Sequence, residues 1–216
     1  IVYVPSEFDP HRIVKSGSNI LASKLLSEFG NYIYPICHVS SPLWLTYGIW
    51  GFEGMMTMIA TQPDIVKYAC ERYLKQSILS IRQSAVLGAS GIWIEECMTD
   101  MISPQAFKEL NVPFLRRLVE EIREAGMKSI YYYCGNPAGK WEHILSVGAD
   151  AISLEESKKD FVIDIDDVVE IVNGKSVVLG NLDAINLLPN CTEDQLKAEI
   201  LRQIKAGRRN NCLLYT

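Results

Sequence analysis

The sequence predicts an α/β fold in which a parallel β-sheet is covered by helices. Three observations predict it. Short β-rich runs alternate repeatedly with helical stretches. The strand runs are close to continuously apolar, as in strands buried on both faces. No low-complexity segment or linker interrupts the alternation over 216 residues, a length that normally forms one domain with a sizeable core, so residues 1–216 are expected to form a single domain.

The elements follow in order. Residues 32–39 (YIYPICHV) read as a strand, weakened in its middle by Pro35, which cannot donate to a ladder. Pro63 to Leu87 carries apolar residues near helical spacing. Gly91 to Glu95 is the next strand. Ser103-Pro104 opens a helix, because serine caps and proline suits the first turn; it is expected to run through Phe107, Leu110, Phe114, Leu118 and Ile122 to a stop at Gly126. Lys128–Tyr133 is a strand, Trp141–Val147 a helix, Ala151–Leu154 a strand, and Asp164–Val172 a helix closed by Asn173-Gly174. Ser176–Leu179 is a strand, and Thr192-Glu193-Asp194-Gln195 forms a capping box at the start of a helix to Ala206. Cys212–Tyr215 is apolar enough for one more strand, and residues 1–30 are expected to hold part of another unit. This pattern alone leaves two architectures open, an open doubly wound sheet and a closed barrel.

Composition narrows the function. The chain is 48% hydrophobic and 22% charged, with net charge −5 and no Lys/Arg run, which argues against a nucleic-acid surface. The longest apolar stretches are strand-length, so no membrane span is expected. Ile1-Val2-Tyr3-Val4-Pro5 lacks the marks of a signal peptide, and without an initiator Met the start of the protein is expected to be missing. Six scattered cysteines without CxxC spacing read as reduced thiols, so a cytoplasmic protein is expected. There is no P-loop, no GxGxxG between strand and helix, and no GxSxG.

In either architecture ligands bind beyond the carboxyl ends of the strands. There the sequence places Ser40-Ser41-Pro42 and Tyr47, Glu95-Glu96-Cys97, Cys134-Gly135-Asn136, Glu155-Glu156-Ser157-Lys158 and Gly180-Asn181-Leu182-Asp183. Candidate catalytic residues are Glu96, Glu156, Asp183 and Tyr47; candidate substrate contacts are Tyr132, Asn136, Asn181 and Trp44; candidate metal ligands are Cys134 and Glu96. Each has an ordinary alternative. Glu95 and Glu96 point in opposite directions while the strand persists, so only one of them faces a pocket. Asn181 and Asp183 have the short side chains that often satisfy loop backbone. Glu155-Glu156 suits a solvated charged loop, and His11, His38 and His143 lack metal-ligand spacing.

Several of these segments resemble one superfamily. Ile102-Ser103-Pro104-Gln105-Ala106-Phe107 followed by Val112-Pro113-Phe114-Leu115-Arg116-Arg117 resembles the "SPE-x-F … P-Y-L-K-R" helix of the uroporphyrinogen decarboxylase superfamily. Tyr133-Cys134-Gly135-Asn136 resembles the "H-x-C-G-N" turn of its methylcobamide methyltransferase branch, Gly148 to Ser153 its "GAD-x-I-S" strand, and Leu179 to Asp183 its "x-GNLDP" strand end. The resemblance implies a (β/α)8 barrel, here an incomplete one lacking its C-terminal end. It also implies an enzyme with a small-molecule substrate, possible as a homodimer.

Two branches differ in chemistry. The methyltransferase branch uses zinc, held by a His, the Cys two residues later and a distant Cys, to activate a thiol toward a corrinoid-bound methyl group, often with a corrinoid protein as partner. Cys134 falls on the second ligand, the His position is Tyr132, and the third ligand would lie beyond Thr216; Glu96 or Glu156 would then replace the histidine, or the site is metal-free. True decarboxylases use no cofactor. The cysteine turn favours the methyltransferase-like branch, with decarboxylation of a porphyrinogen as the alternative and a binding protein on the same barrel as a third reading.

Overall fold

A computed structural model of the protein describes residues 8–156 and 161–209 and, for the backbone, 214–215. Ser157, Lys158 and Cys212, and the start of the chain to residue 7, lie outside the described residues.

Among the described residues six parallel strands make one sheet: β1 (Ile36–Ser40), β2 (Gly91–Glu96), β3 (Lys128–Tyr133), β4 (Ala151–Leu154), β5 (Val177–Leu179) and β6 (Leu214–Tyr215). Their order across the sheet is their order in the chain. A doubly wound sheet reverses direction at a switch point; among the described strands there is none. Crossovers between parallel strands are almost always right-handed, so a strand order that only advances keeps the helices on one face. This is the winding of a (β/α) barrel, present as an incomplete one with β1 and β6 at its edges.

The helices that cover that face follow the sequence logic. Helix α1 (Pro10–Lys15) and α2 (Ile20–Phe29) precede β1, and α3 (Pro42–Leu45) and α4 (Tyr47–Thr61) follow it. Helix α5 (Pro63–Leu87) matches its expected bounds and ends at Gly88. Ser103 caps α6 (Pro104–Leu110), its Oγ accepting from the Ala106 N–H at 3.1 Å. After α7 (Val112–Glu124), α8 (Trp141–Ser146) and α9 (Ile165–Val172), the last helix, α10 (Glu193–Arg209), opens with the expected capping box. Thr192 N–H donates to Gln195 Oε1 at 2.8 Å, and Gln195 N–H to Thr192 Oγ1 at 3.3 Å.

Three expectations are corrected. The single helix from Ser103 to Gly126 is two helices, α6 and α7, separated at Asn111. Pro113 has no N–H to continue the ladder, and the Asn111 side chain turns inward to a carboxylate described below. The first strand begins at Ile36 rather than residue 32, beyond Pro35, whose carbonyl accepts from Ser90 and Gly91 N–H at 2.8 and 3.2 Å. Residues 42–61, not read as helical, form α3 and α4. Glycines at 48, 51 and 54 hid that helix, and Gly51 does break its geometry, at φ 66° and ψ −175°, a conformation essentially confined to glycine.

The core is the layer between sheet and helices. Ile92, Ile94, Tyr131 and Tyr133 from the strands meet Leu74, Ile81, Phe107, Leu115 and Leu118 from the helices, all without exposed surface. Each such Leu or Ile side chain contributes about 1.5–3 kcal/mol by leaving water. No helix of the described residues is long and apolar enough to cross a membrane.

Candidate functional site at the strand ends

Alternation along the strands decides what each carboxyl end offers. Register pairs Ile94 with Tyr131 and Glu96 with Tyr133, and Tyr131 with Ile152 and Tyr133 with Leu154. These side chains lie in the buried layer under the helices. The intervening positions, His38, Trp93, Glu95, Tyr132 and Ser153, pair with one another across β1 to β4 and face the other way, toward the interior of the barrel. One step past the strands, Cys97, Cys134 and Glu155 continue that interior face.

These residues form one constellation. The Trp93 and Tyr132 rings lie 5.1 Å apart. Tyr132 Oη donates to Glu155 Oε1 at 3.4 Å, and the Gly135 N–H donates to Glu155 Oε2 at 2.8 Å. Beside them His38 Nε2 and Glu95 Oε2 are 2.9 Å apart. Cys134 N–H donates to the Glu96 carbonyl at 3.2 Å, which extends the β2–β3 ladder and sets Cys97 beside Cys134. Burial, then the charge of Glu155, pushes the Cys134 thiol well up from its ordinary range. Burial raises Cys97 as well, partly opposed by its contact with Cys134. Tyr132 is raised by burial first and by its charged neighbours second. The site therefore holds neutral thiols beside a carboxylate, a combination that ionises once a cationic group arrives.

Gly135 has a specific reason to be glycine. Its φ is 98°, and a Cβ there would collide with the Asp100 carboxylate. Only a residue without a side chain turns the chain tightly enough to aim the amide at Glu155. Behind Asp100, the nearly buried Lys140 donates Nζ to the Asp100 carbonyl at 3.2 Å, and burial lowers its pKa.

The sequence-predicted residues do not all gather here. Tyr132 and Cys134 do. Glu96 does not: it is fully buried on the helix side, where Oε1 accepts from Ser41 Oγ at 2.9 Å and Oε2 from the Asn111 amide. Burial pushes its pKa up to about 8 against the opposing pull of those donors. Its expected place at the mouth, and as a metal ligand with Cys134, is corrected by the period-two rule: Glu95 takes the interior side. Glu156, Asn181 and Asp183 line a different cavity, of about 260 Å³. Asn181 Nδ2 donates to the Glu155 and Ile163 carbonyls at 3.2 and 2.8 Å, and Asp183 Oδ1 accepts from the Ile185 and Asn186 N–H groups at 2.9 and 2.7 Å, which hold its carboxyl below the usual range. Both thus do the loop work their short side chains allow.

Asn136 Oδ1 accepts from Ala138 N–H at 2.9 Å, and Asn136 borders a smaller hollow with Trp141. Trp44 and Tyr47 stack on each other, ring centres 5.0 Å apart, just past β1. Sequence reasoning missed Cys97, Glu155, Glu95, Trp93 and His38 as a group. Counting alternate residues from the buried Ile92 and Ile94 would have found Trp93, Glu95 and Cys97.

Cys97, Cys134 and Glu155 are the donor types zinc takes. Their placement does not complete a site: among the described residues no three His, Cys, Asp or Glu side chains gather as metal ligands, and Tyr132 stands where the methyltransferase branch has histidine.

A family model for uroporphyrinogen decarboxylase matches residues 20–212. The chain belongs to the uroporphyrinogen decarboxylase family. Within the family, it is 28% identical over 141 residues to the uroporphyrinogen decarboxylase of Anaeromyxobacter dehalogenans, covering 65% of this chain and 39% of that protein. It is 24% identical over 184 residues to the chloroplastic uroporphyrinogen decarboxylase 2 of Arabidopsis thaliana, covering 82% and 45%. The chain thus spans less than half the length of these family members. A methyltransferase from Methanosarcina mazei shares the fold, with TM-score 0.76 and 16% identity over 90% of this chain and 56% of that one. That likeness speaks for the fold alone.

Proposed function

We propose that the whole protein is an enzyme of this family that acts on a small molecule at the interior mouth formed by Trp93, Tyr132, Cys134, Glu155 and Cys97, and that it belongs to the methyltransferase-like branch. The observation that carries the reading is the pair of thiols on adjacent strand ends beside Glu155. Thiols suit a soft acceptor or ligand role, and a carboxylate held by Gly135 N–H and Tyr132 Oη is positioned to take a thiol proton when a cationic group makes ionisation favourable. A methyl group carried by a corrinoid is the substrate class this implies, with a corrinoid protein as partner. Zinc enters the proposal only with ligands from outside the described residues.

A second reading is favoured by the relatives, which are named uroporphyrinogen decarboxylases. Under it the same mouth binds a porphyrinogen and releases CO2 without a cofactor.

One set of assays on the full-length protein separates the readings. Methyl transfer from methylcobalamin, lost on Cys134→Ser, supports the first. CO2 release from uroporphyrinogen with methyl transfer absent refutes it in favour of the second. Ligand binding without either reaction identifies a binding protein on the same barrel.

A further inference from the structure

Two sulfurs at the mouth are placed to react with each other. Register pairs Glu95 with Tyr132 and Glu96 with Tyr133, and the Cys134 N–H, donating to the Glu96 carbonyl at 3.2 Å, carries the ladder one residue further. The next pair in register is Cys97 and Cys134. Neighbouring strands run about 4.8 Å apart, inside the roughly 4.4–6.8 Å that separates the Cα atoms of a disulfide. Each cysteine follows an interior residue, Glu95 or Tyr132, by two positions, so both side chains leave the backbone on the same side. The two thiols hydrogen-bond to each other. Both are only partly buried, which leaves them open to a dissolved reagent. The other described cysteines lie on different elements: Cys37 in β1, Cys70 fully buried in α5, and Cys191 ahead of α10.

Burial and the charge of Glu155 keep both thiols protonated, with two consequences. Closure is slow, because the thiolate is the attacking species. The closed form is stable, because a disulfide is strongly oxidising when its reduced form is stabilised, and here ionisation lends the reduced pair nothing.

We propose that Cys97 and Cys134 are a redox-responsive pair that closes reversibly into a disulfide by exchange with a small disulfide such as oxidised glutathione. One cysteine, as its thiolate, attacks a sulfur of the reagent and expels a glutathione thiolate. The second cysteine thiolate then attacks the protein sulfur of the mixed disulfide and expels the other. The protons lost by the two cysteines end on the two glutathione thiols, so the cysteines are oxidised and the reagent is reduced. Closed, the pair withdraws both sulfurs from the reaction proposed for the mouth. That consequence rests on the reading given above; the bond itself does not.

The test equilibrates the full-length protein with oxidised glutathione, quenches it in acid, alkylates the free thiols and maps peptides without reductant. The expected result is a cross-linked species joining the Cys97 and Cys134 peptides and lost on treatment with dithiothreitol, with Cys37, Cys70 and Cys191 alkylated. Cys97→Ser should abolish the cross-link and leave Cys134 as a free thiol or a glutathione adduct. Absence of the Cys97–Cys134 cross-link at equilibrium, preferential linkage of either cysteine to another one, or a bond that dithiothreitol does not open in the native protein overturns the proposal. Turnover is read on the same samples, in whichever of the methyl-transfer and CO2-release assays the parent performs, and should fall in step with the cross-linked fraction. A cross-link that forms with turnover unchanged, or with both assays blank, leaves the disulfide standing and refutes the role given to the thiols at the mouth.

Discussion

Glu95 and Glu96 are adjacent in the chain, yet their carboxylates lie on opposite sides of the sheet: Glu95 pairs with His38 at 2.9 Å on the interior face, while Glu96 is fully buried under the helices with Ser41 and Asn111. One residue of register separates a group available to ligands from one that ties three β/α segments together. The predictions below follow from that division.

Glu96 should make stability fall as pH rises. Its folded pKa, about 8, lies above the ordinary carboxylate value of 4.5. The folded state therefore holds a proton that the unfolded state releases. The resulting stabilisation, on the order of a few kcal/mol, is complete below the unfolded pKa and is lost as pH climbs toward 8. Glu96→Gln mimics the protonated form, and the unpartnered Asn111 Oδ1 can accept from its amide. Urea unfolding from pH 5 to 9 should show a falling curve for the parent and a flatter one for the variant. Parallel curves would contradict this origin.

Asn111→Ala should destabilise by about 1–3 kcal/mol, because it removes one of the two side-chain hydrogen bonds to a buried carboxyl group. Chemical denaturation at pH 7 measures the loss, and a change below about 0.5 kcal/mol would show that the break between α6 and α7 has another purpose.

Gly135→Ala should cost about 1–3 kcal/mol, since it combines a positive φ with a collision against Asp100. Asp100→Ala in the same chain should recover only the collision part. Thermal unfolding of the single and double variants checks this; full recovery would mean the backbone conformation costs little.

Cys134 should alkylate slowly at neutral pH, because burial and Glu155 keep it protonated. Glu155→Gln removes the charge and should accelerate modification of Cys134 several-fold at pH 8. Peptide mapping after iodoacetamide distinguishes Cys134 from the other thiols, and an unchanged rate would detach Glu155 from the thiol.

Much of the fold was legible because it rests on local rules. Helix α5 and the capping box of Thr192 and Gln195 stand where spacing and caps put them. Of the two causes of the break at Asn111, Pro113 was open to view in the sequence, while the tertiary hydrogen bond to a residue 15 positions away was not. At the mouth, Cys134 and Tyr132 were found through a motif. The choice of Glu96 over Glu95 failed on direction: the end of β2 carries paired carboxylates, and only the buried Ile92 and Ile94 show which of the two faces in. Residue type announced chemistry there, and strand parity assigned it.

The most direct test compares turnover of Glu155→Gln and Glu96→Gln in the full-length protein, in whichever of the methyl-transfer and CO2-release assays the parent enzyme performs. An interior site built on Glu155 predicts a fall of about 100-fold or more for Glu155→Gln, the scale of a lost acid–base group, with Glu96→Gln staying within about threefold of the parent. Full activity in Glu155→Gln together with loss in Glu96→Gln would place the chemistry on the other face of the sheet and contradict the account.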